Sequence, residues 1–137
     1  MLKAGGADEV ILDDGAIARK VTAKYDKVLE LVGTTTLEDS LQCVSEGGSV
    51  CMTGMVGNKW SLENFSPMES IPTAVNLTTY AGGPEDFIAT PLEELAEKIK
   101  AGKLKVHIGR VFRLDDIIEA HRVMEENKAA GKIVILP

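Results

Sequence analysis

Of the side chains that commonly move protons, attack carbonyls or bind metals, this 137-residue sequence offers two histidines, His107 and His121, and two cysteines, Cys43 and Cys51. His121 and Glu125 stand four residues apart and would share one helix face, half of a metal site. No third ligand is evident, so an ion pair or a packed histidine is the simpler expectation. Two thiols are too few for a disulfide framework or a thiolate zinc cluster, and both read as small core residues. Glu30 lies inside an apolar run. A buried carboxylate there would need a partner or a raised pKa; the simpler expectation is a side chain reaching solvent at the strand's edge. Arg110 and Lys132 could meet a phosphate, although solvated cations are the default. No catalytic residue and no metal ligand is assigned.

The remaining chemistry lies in loops, and the elements around them show why. Apolar runs of strand length alternate with helix-period segments. Residues 9–12 read as a short first strand, and Ala16, Ile17 and Val21 line one face of a short helix. Residues 26–32 form a nearly continuous apolar run ending at Gly33, the pattern of a strand covered on both faces of a parallel sheet. Thr36 can cap a second helix with the stripe Leu37, Leu41 and Val44, stopped by Gly47 and Gly48. Residues 49–54 return as a third strand, residues 55–72 read as a long surface connection, and residues 75–80 form a fourth strand. Composition shifts after Gly83. Thr90, Pro91 and Glu93 mark a strong helix start, with Leu92, Leu95, Ala96 and Ile99 as its buried stripe. A strand over 104–112, a helix capped by Asp115 and a strand over 132–136 complete the chain.

This order predicts an α/β fold with parallel strands, in which ligands bind beyond the carboxyl ends of the strands. The loops at those ends are Gly33-Thr34-Thr35, Gly54-Met55-Val56-Gly57 and Tyr80-Ala81-Gly82. Glycine there would let a ligand approach the backbone closely, yet glycines at strand ends are also ordinary turn residues. Thr34, Thr35 and Thr36 serve equally well as helix caps. The run 28–33 is superficially similar to the first motif of S-adenosylmethionine methyltransferases, but threonines occupy the positions where that motif needs further glycines.

Fifteen Lys and Arg against twenty-one Asp and Glu give a net charge of −6. That balance argues against nucleic acid and anionic membrane as partners. No apolar stretch approaches the roughly 18 residues of a membrane span, and no basic segment followed by an apolar run opens the sequence. A reduced, cytoplasmic protein is the expectation.

Several blocks taken together carry a resemblance. Residues 6–11, 25–33 and 46–51 followed by Gly54 resemble the nucleotide domain of medium-chain dehydrogenases. Residues 101–104, 108–112, 119–125 and 130–134 are similar to the quinone oxidoreductase branch of that superfamily, which includes zinc-type alcohol dehydrogenases. The blocks span almost the whole chain in the family's order.

The resemblance implies a partial Rossmann-type parallel sheet, strands 3–6 of the usual six, followed by a helix-strand-helix-strand segment. Residues 1–83 would be a truncated dinucleotide-binding domain, and residues 84–137 the segment that in the family returns to the catalytic domain. Family members are more than twice as long, and their Gly-x-Gly-x-x-Gly turn, ribose-reading residue and zinc ligands lie upstream of these blocks. NAD or NADP would be the parent enzyme's cofactor, with Gly33 and Thr34, after Val32, near the nicotinamide ribose. Gly54 and Met55 would approach the nicotinamide, and Tyr80 and Ala81 its carboxamide. The substrate would be a quinone, enone or similar small carbonyl compound. For this chain alone the expectation is little or no activity and no bound cofactor; the alternative is a non-catalytic, self-associating fragment. The first strand is expected to shift beside the second, or another chain to cover the gap. Since the family commonly dimerises near residues 75–80, a homo-oligomer is expected.

Overall fold

The computed structural model describes residues 2–137, which divide into two compact units, one ending at Gly83 and the other Pro84–Pro137. In the first, strands β1 (Tyr25–Glu30), β2 (Val44–Met52) and β3 (Asn76–Thr79) form a parallel sheet in the order β1-β2-β3. Helix α1 (Thr34–Gln42) connects β1 to β2, and a short helix α2 (Pro67–Ser70) lies in the long connection before β3. The expected α/β, parallel architecture is present.

One face of this sheet is covered. Val28, Val50 and Leu77 lie in register across the three strands and pack with Leu37 and Leu41 of α1, with Val44 and with Val75. Leu41 and Val50 have no exposed surface. Side chains alternate across a strand, so Leu29, Cys51 and Thr78 face the other way, and Leu29 is 63% exposed. The apolar run that suggested cover on both faces is therefore covered on only one side among the described residues.

The expected strand over residues 9–12 does not form. Local side-chain bonds draw the following segment elsewhere: Asp13 accepts a bond from the Gly15 N–H, and Asp39 of α1 accepts one from the Ala18 N–H. Such bonds compete with ladder pairing. Residues 17–19 make a single 3-10 turn against α1 in place of a helix, and no described residue pairs with the outer edge of β1.

Helix α1 is also shorter than its pattern suggested. It begins at Thr34 with Gly33 in the capping position, and it ends at Gln42. Val44 already pairs with Tyr25, while Lys27 pairs with Ser49, so Gly47 and Gly48 sit in an irregular stretch of β2 instead of stopping a helix. A side chain at Gly48 would press on the Asp26 carbonyl 2.7 Å away.

The second unit holds helices α3 (Pro84–Ala89), α4 (Leu92–Lys100) and α5 (Ile117–Glu125), with β4 (Ile108–Arg113) paired parallel to β5 (Lys132–Leu136). Strand β4 starts later than expected. Thr90 does not cap α4: its hydroxyl donates to the Asp86 carbonyl, and Pro91 takes the capping position. Asp116, not Asp115, precedes α5, and Asp115 belongs to a 3-10 turn.

Candidate functional site

The carboxyl ends of β1, β2 and β3 finish level, with Glu30 opposite Met52 and Met52 opposite Thr79. Backbone bonds continue past the strands and tie the loops together. The Thr53 N–H donates to the Glu30 carbonyl (2.9 Å), Tyr80 N–H to Met52 (3.1 Å), and Gly57 N–H to Val32 (2.7 Å). The seven residues expected to face a cofactor, Val32, Gly33, Thr34, Gly54, Met55, Tyr80 and Ala81, thus all lie at one end of the sheet.

Two glycines make this convergence possible. Gly33 has φ 110°, a left-handed conformation that L side chains rarely adopt. A side chain there would meet the Gly54 carbonyl at 2.9 Å and Met55 Cα at 3.2 Å. At Gly54 the constraint is contact alone: an added Cβ would fall 1.8 Å from the Leu31 carbonyl oxygen. Backbone meets backbone at this point.

Beside this junction, Gly54, Met55, Tyr80 and Ala81 line an open groove of about 440 Å³ together with Met52, Thr53, Trp60 and Thr79. Val32, Gly33 and Thr34 are outside its lining; Gly33 and Thr34 are buried, and the Thr34 hydroxyl donates to the Lys59 carbonyl. Trp60, 77% exposed, was not singled out by the sequence reading. Its signal was available: a lone tryptophan in a polar connection has no stripe to join.

Glu30 corrects the expectation of a solvent-facing side chain. It is only 4% exposed, and both carboxylate oxygens are filled. Oε1 accepts from the N–H groups of Val32 (2.6 Å) and Gly33 (3.0 Å). Oε2 accepts from the hydroxyls of Thr36 (2.9 Å) and Ser40 (2.6 Å). Burial pushes the carboxyl pKa up, but the bonds from Ser40, Gly33, Val32 and Thr36 outweigh it and hold the group below its ordinary value. The carboxylate also sits at the positive end of α1, which favours the charge. Thr36, expected as the helix cap, is instead a donor to this carboxylate, with a longer bond to the Gly33 carbonyl (3.3 Å).

Cys43 is buried, and burial pushes its thiol pKa up. His121 is exposed and borders an apolar groove with Ile117 and Met124, while Arg122 takes the ion pairs of α5, to Glu119 and Glu126. Arg110 and Lys132 are exposed. No group of three His, Cys, Asp or Glu side chains that could hold a metal occurs among the described residues, so none of them is assigned to zinc. No helix among them is long and apolar enough to cross a membrane.

Comparison with known proteins places these features in a lineage. The medium chain reductase pydE of an Acremonium species is 29% identical over 129 residues, covering 81% of this chain and 32% of that protein. The structure superposes on a crystal structure of an NAD-dependent alcohol dehydrogenase with a TM-score of 0.73 and 25% identity, covering 98% of this chain and 39% of that one. On the quinone oxidoreductase of Coxiella burnetii the TM-score is 0.70 at 23% identity, with 98% and 40% covered. The chain thus spans about a third of the length of the curated relative. The zinc-binding dehydrogenase family pattern matches residues 5–135, and the chain belongs to that family.

Proposed function

We propose that this chain forms the nicotinamide-facing portion of an NAD(P)H-dependent medium-chain oxidoreductase that reduces a quinone, enone or similar carbonyl compound. The observation that carries this reading is the level ending of three parallel strands beside one groove, lined from the ends of β2 and β3, with Gly33 and Gly54 bringing the backbones of β1 and β2 together. Open α/β sheets bind ligands at such ends. The groove fits the flat, mostly uncharged end of a dinucleotide: Met52, Met55, Trp60 and Tyr80 supply apolar and aromatic surface, and loop backbone supplies polar groups.

The phosphate end fits these residues poorly. The N-terminal amides at Val32 and Gly33 already serve Glu30, and no Gly-x-Gly-x-x-Gly turn occurs in the 137 residues. The nicotinamide, when bound, supplies the hydride; the chain's part is to orient the ring and exclude water with Met55, Tyr80 and Ala81. In this reading residues 1–83 are the dinucleotide-binding part, and residues 84–137 are the segment that packs on a catalytic domain.

Alone, the chain is expected to show no submillimolar affinity for NADPH and no turnover with a quinone. A fluorescence titration and a steady-state assay check this, and tight binding with turnover would overturn it.

A specific observation favours a second reading, a non-catalytic self-associating piece: among the described residues the outer edge of β1 is unpaired, and Leu29 and Leu31 are exposed. Light scattering separates the two when combined with cofactor fluorescence. A dimer indifferent to reduced nicotinamide at any concentration supports the second.

A further inference from the structure

We propose that Glu30 is a positioning residue: its buried carboxylate fixes the Val32-Gly33-Thr34 loop, which supports the wall of the groove that takes a nicotinamide. The proposal rests on the cofactor reading above and adds a role that the strand-end glycines do not supply.

Three observations lead to it. The carboxylate accepts four hydrogen bonds, two from the loop backbone and two from α1, and each oxygen is saturated by one pair. It therefore joins the end of β1, the turn that follows and the first two turns of the helix. Secondly, Gly33 lies in a left-handed conformation, which a short loop holds only when its surroundings determine it. The Glu30 bond to its N–H is one such determinant, and the Gly33 carbonyl is fixed from the other side by the N–H groups of Thr36 (3.2 Å) and Leu37 (3.1 Å). Thirdly, the loop so held is itself a support of the groove wall. Val32 accepts from the Gly57 N–H, and a side chain at Gly33 would strike Met55, which lines the groove. A shift of Gly33 would therefore carry Gly54 and Met55 with it.

Charge and reach can be separated by substitution. In Glu30→Gln one oxygen can still accept from Val32 and Gly33, while the amide NH₂ donates to the hydroxyls of Thr36 and Ser40, which can turn to accept it. Glu30→Asp keeps the charge but is one methylene shorter, and it cannot serve both the loop and the helix.

The test is amide hydrogen exchange together with an NMR titration by reduced nicotinamide mononucleotide, on the wild-type chain, E30Q and E30D. E30D is expected to speed exchange at Val32 and Gly33, and to weaken the mononucleotide, each by about tenfold, the effect of losing one charge-assisted hydrogen bond. Exchange at Leu41 and Val50 should stay unchanged, and E30Q should keep both properties near wild type. Should E30D fail to fold, Ser40→Ala removes one donor to Oε2, and a smaller change in the same direction is expected. Wild-type affinity in a variant whose loop exchanges faster would overturn the positioning role. Unchanged exchange at Val32 and Gly33 would overturn the loop role itself. If the wild-type chain shows no response to the mononucleotide, the cofactor reading fails, and exchange still decides whether Glu30 holds the loop.

Discussion

Gly54→Ala is expected to destabilise the chain by about 3 kcal/mol or more, toward the severe end for a single methyl group. The reason is contact with atoms that cannot swing away. The added carbon would lie 1.8 Å from the Leu31 carbonyl oxygen, 2.3 Å from its carbon and 2.6 Å from its Cα, all backbone. Alanine also restricts the unfolded chain, which by itself would favour folding by about 0.4–1 kcal/mol, so the measured loss is a net value. Relief requires the ends of β1 and β2 to separate, and the groove wall at Met55 would move with them. Gly5→Ala is the control: nothing lies within 4 Å of its added carbon, and a change within about 0.5 kcal/mol is expected. Urea unfolding of the two variants checks both values. An unfolding midpoint for G54A equal to that of wild type would contradict the close approach.

The second large effect concerns Glu30. Removing the carboxylate in Glu30→Ala leaves two N–H groups and two hydroxyls without their acceptor, at about 1–3 kcal/mol for each donor that stays unsatisfied. The Thr36 hydroxyl can turn fully to the Gly33 carbonyl, and Ser40 is only half-buried, so a total of about 3 kcal/mol at pH 7 is expected. The wild-type contribution also depends on pH in a defined sense. The folded carboxyl is held below the ordinary 4.5, so the unfolded chain takes up the proton first as pH falls. The stabilisation is therefore complete above about pH 4.5 and is lost progressively as pH drops from there through the folded value. Glu30→Gln should flatten that fall. Unfolding free energies measured at pH 7 and at several values below 4.5 decide it, and an E30Q curve parallel to wild type would remove Glu30 from the acid response.

How much of this was legible in the residues follows from which interactions are local. Leu37 and Leu41, four apart, marked the buried face of α1, and the runs 26–32 and 49–54 marked β1 and the second half of β2, because burial on one face leaves a periodic trace. The run at 9–12 carries the same composition but has no pairing partner, and Asp13 and Asp39 hold its sequel by side-chain bonds that periodicity does not register. Gly47 and Gly48 were misread because close backbone approach and helix termination both call for glycine. Glu30 was assigned to solvent because a carboxylate in an apolar run gives no hint of its donors. The hint was downstream: Thr36 and Ser40 are four apart and place two hydroxyls on one face of α1, above the end of β1. The strand pattern places the three loops at one end of the sheet, whereas Trp60 was missed because the groove it joins exists only after the strands align.

The measurement closest to the central claim is an NMR chemical-shift map of the chain titrated separately with reduced nicotinamide mononucleotide and with adenosine 2′,5′-bisphosphate, the two halves of the dinucleotide. The account predicts shifts with the mononucleotide at Val32, Gly33, Thr34, Gly54, Met55, Tyr80 and Ala81, and in the Trp60 indole, with no saturable response to the adenosine compound. Shifts confined to residues 84–137, or a response to the adenosine half alone, would contradict it.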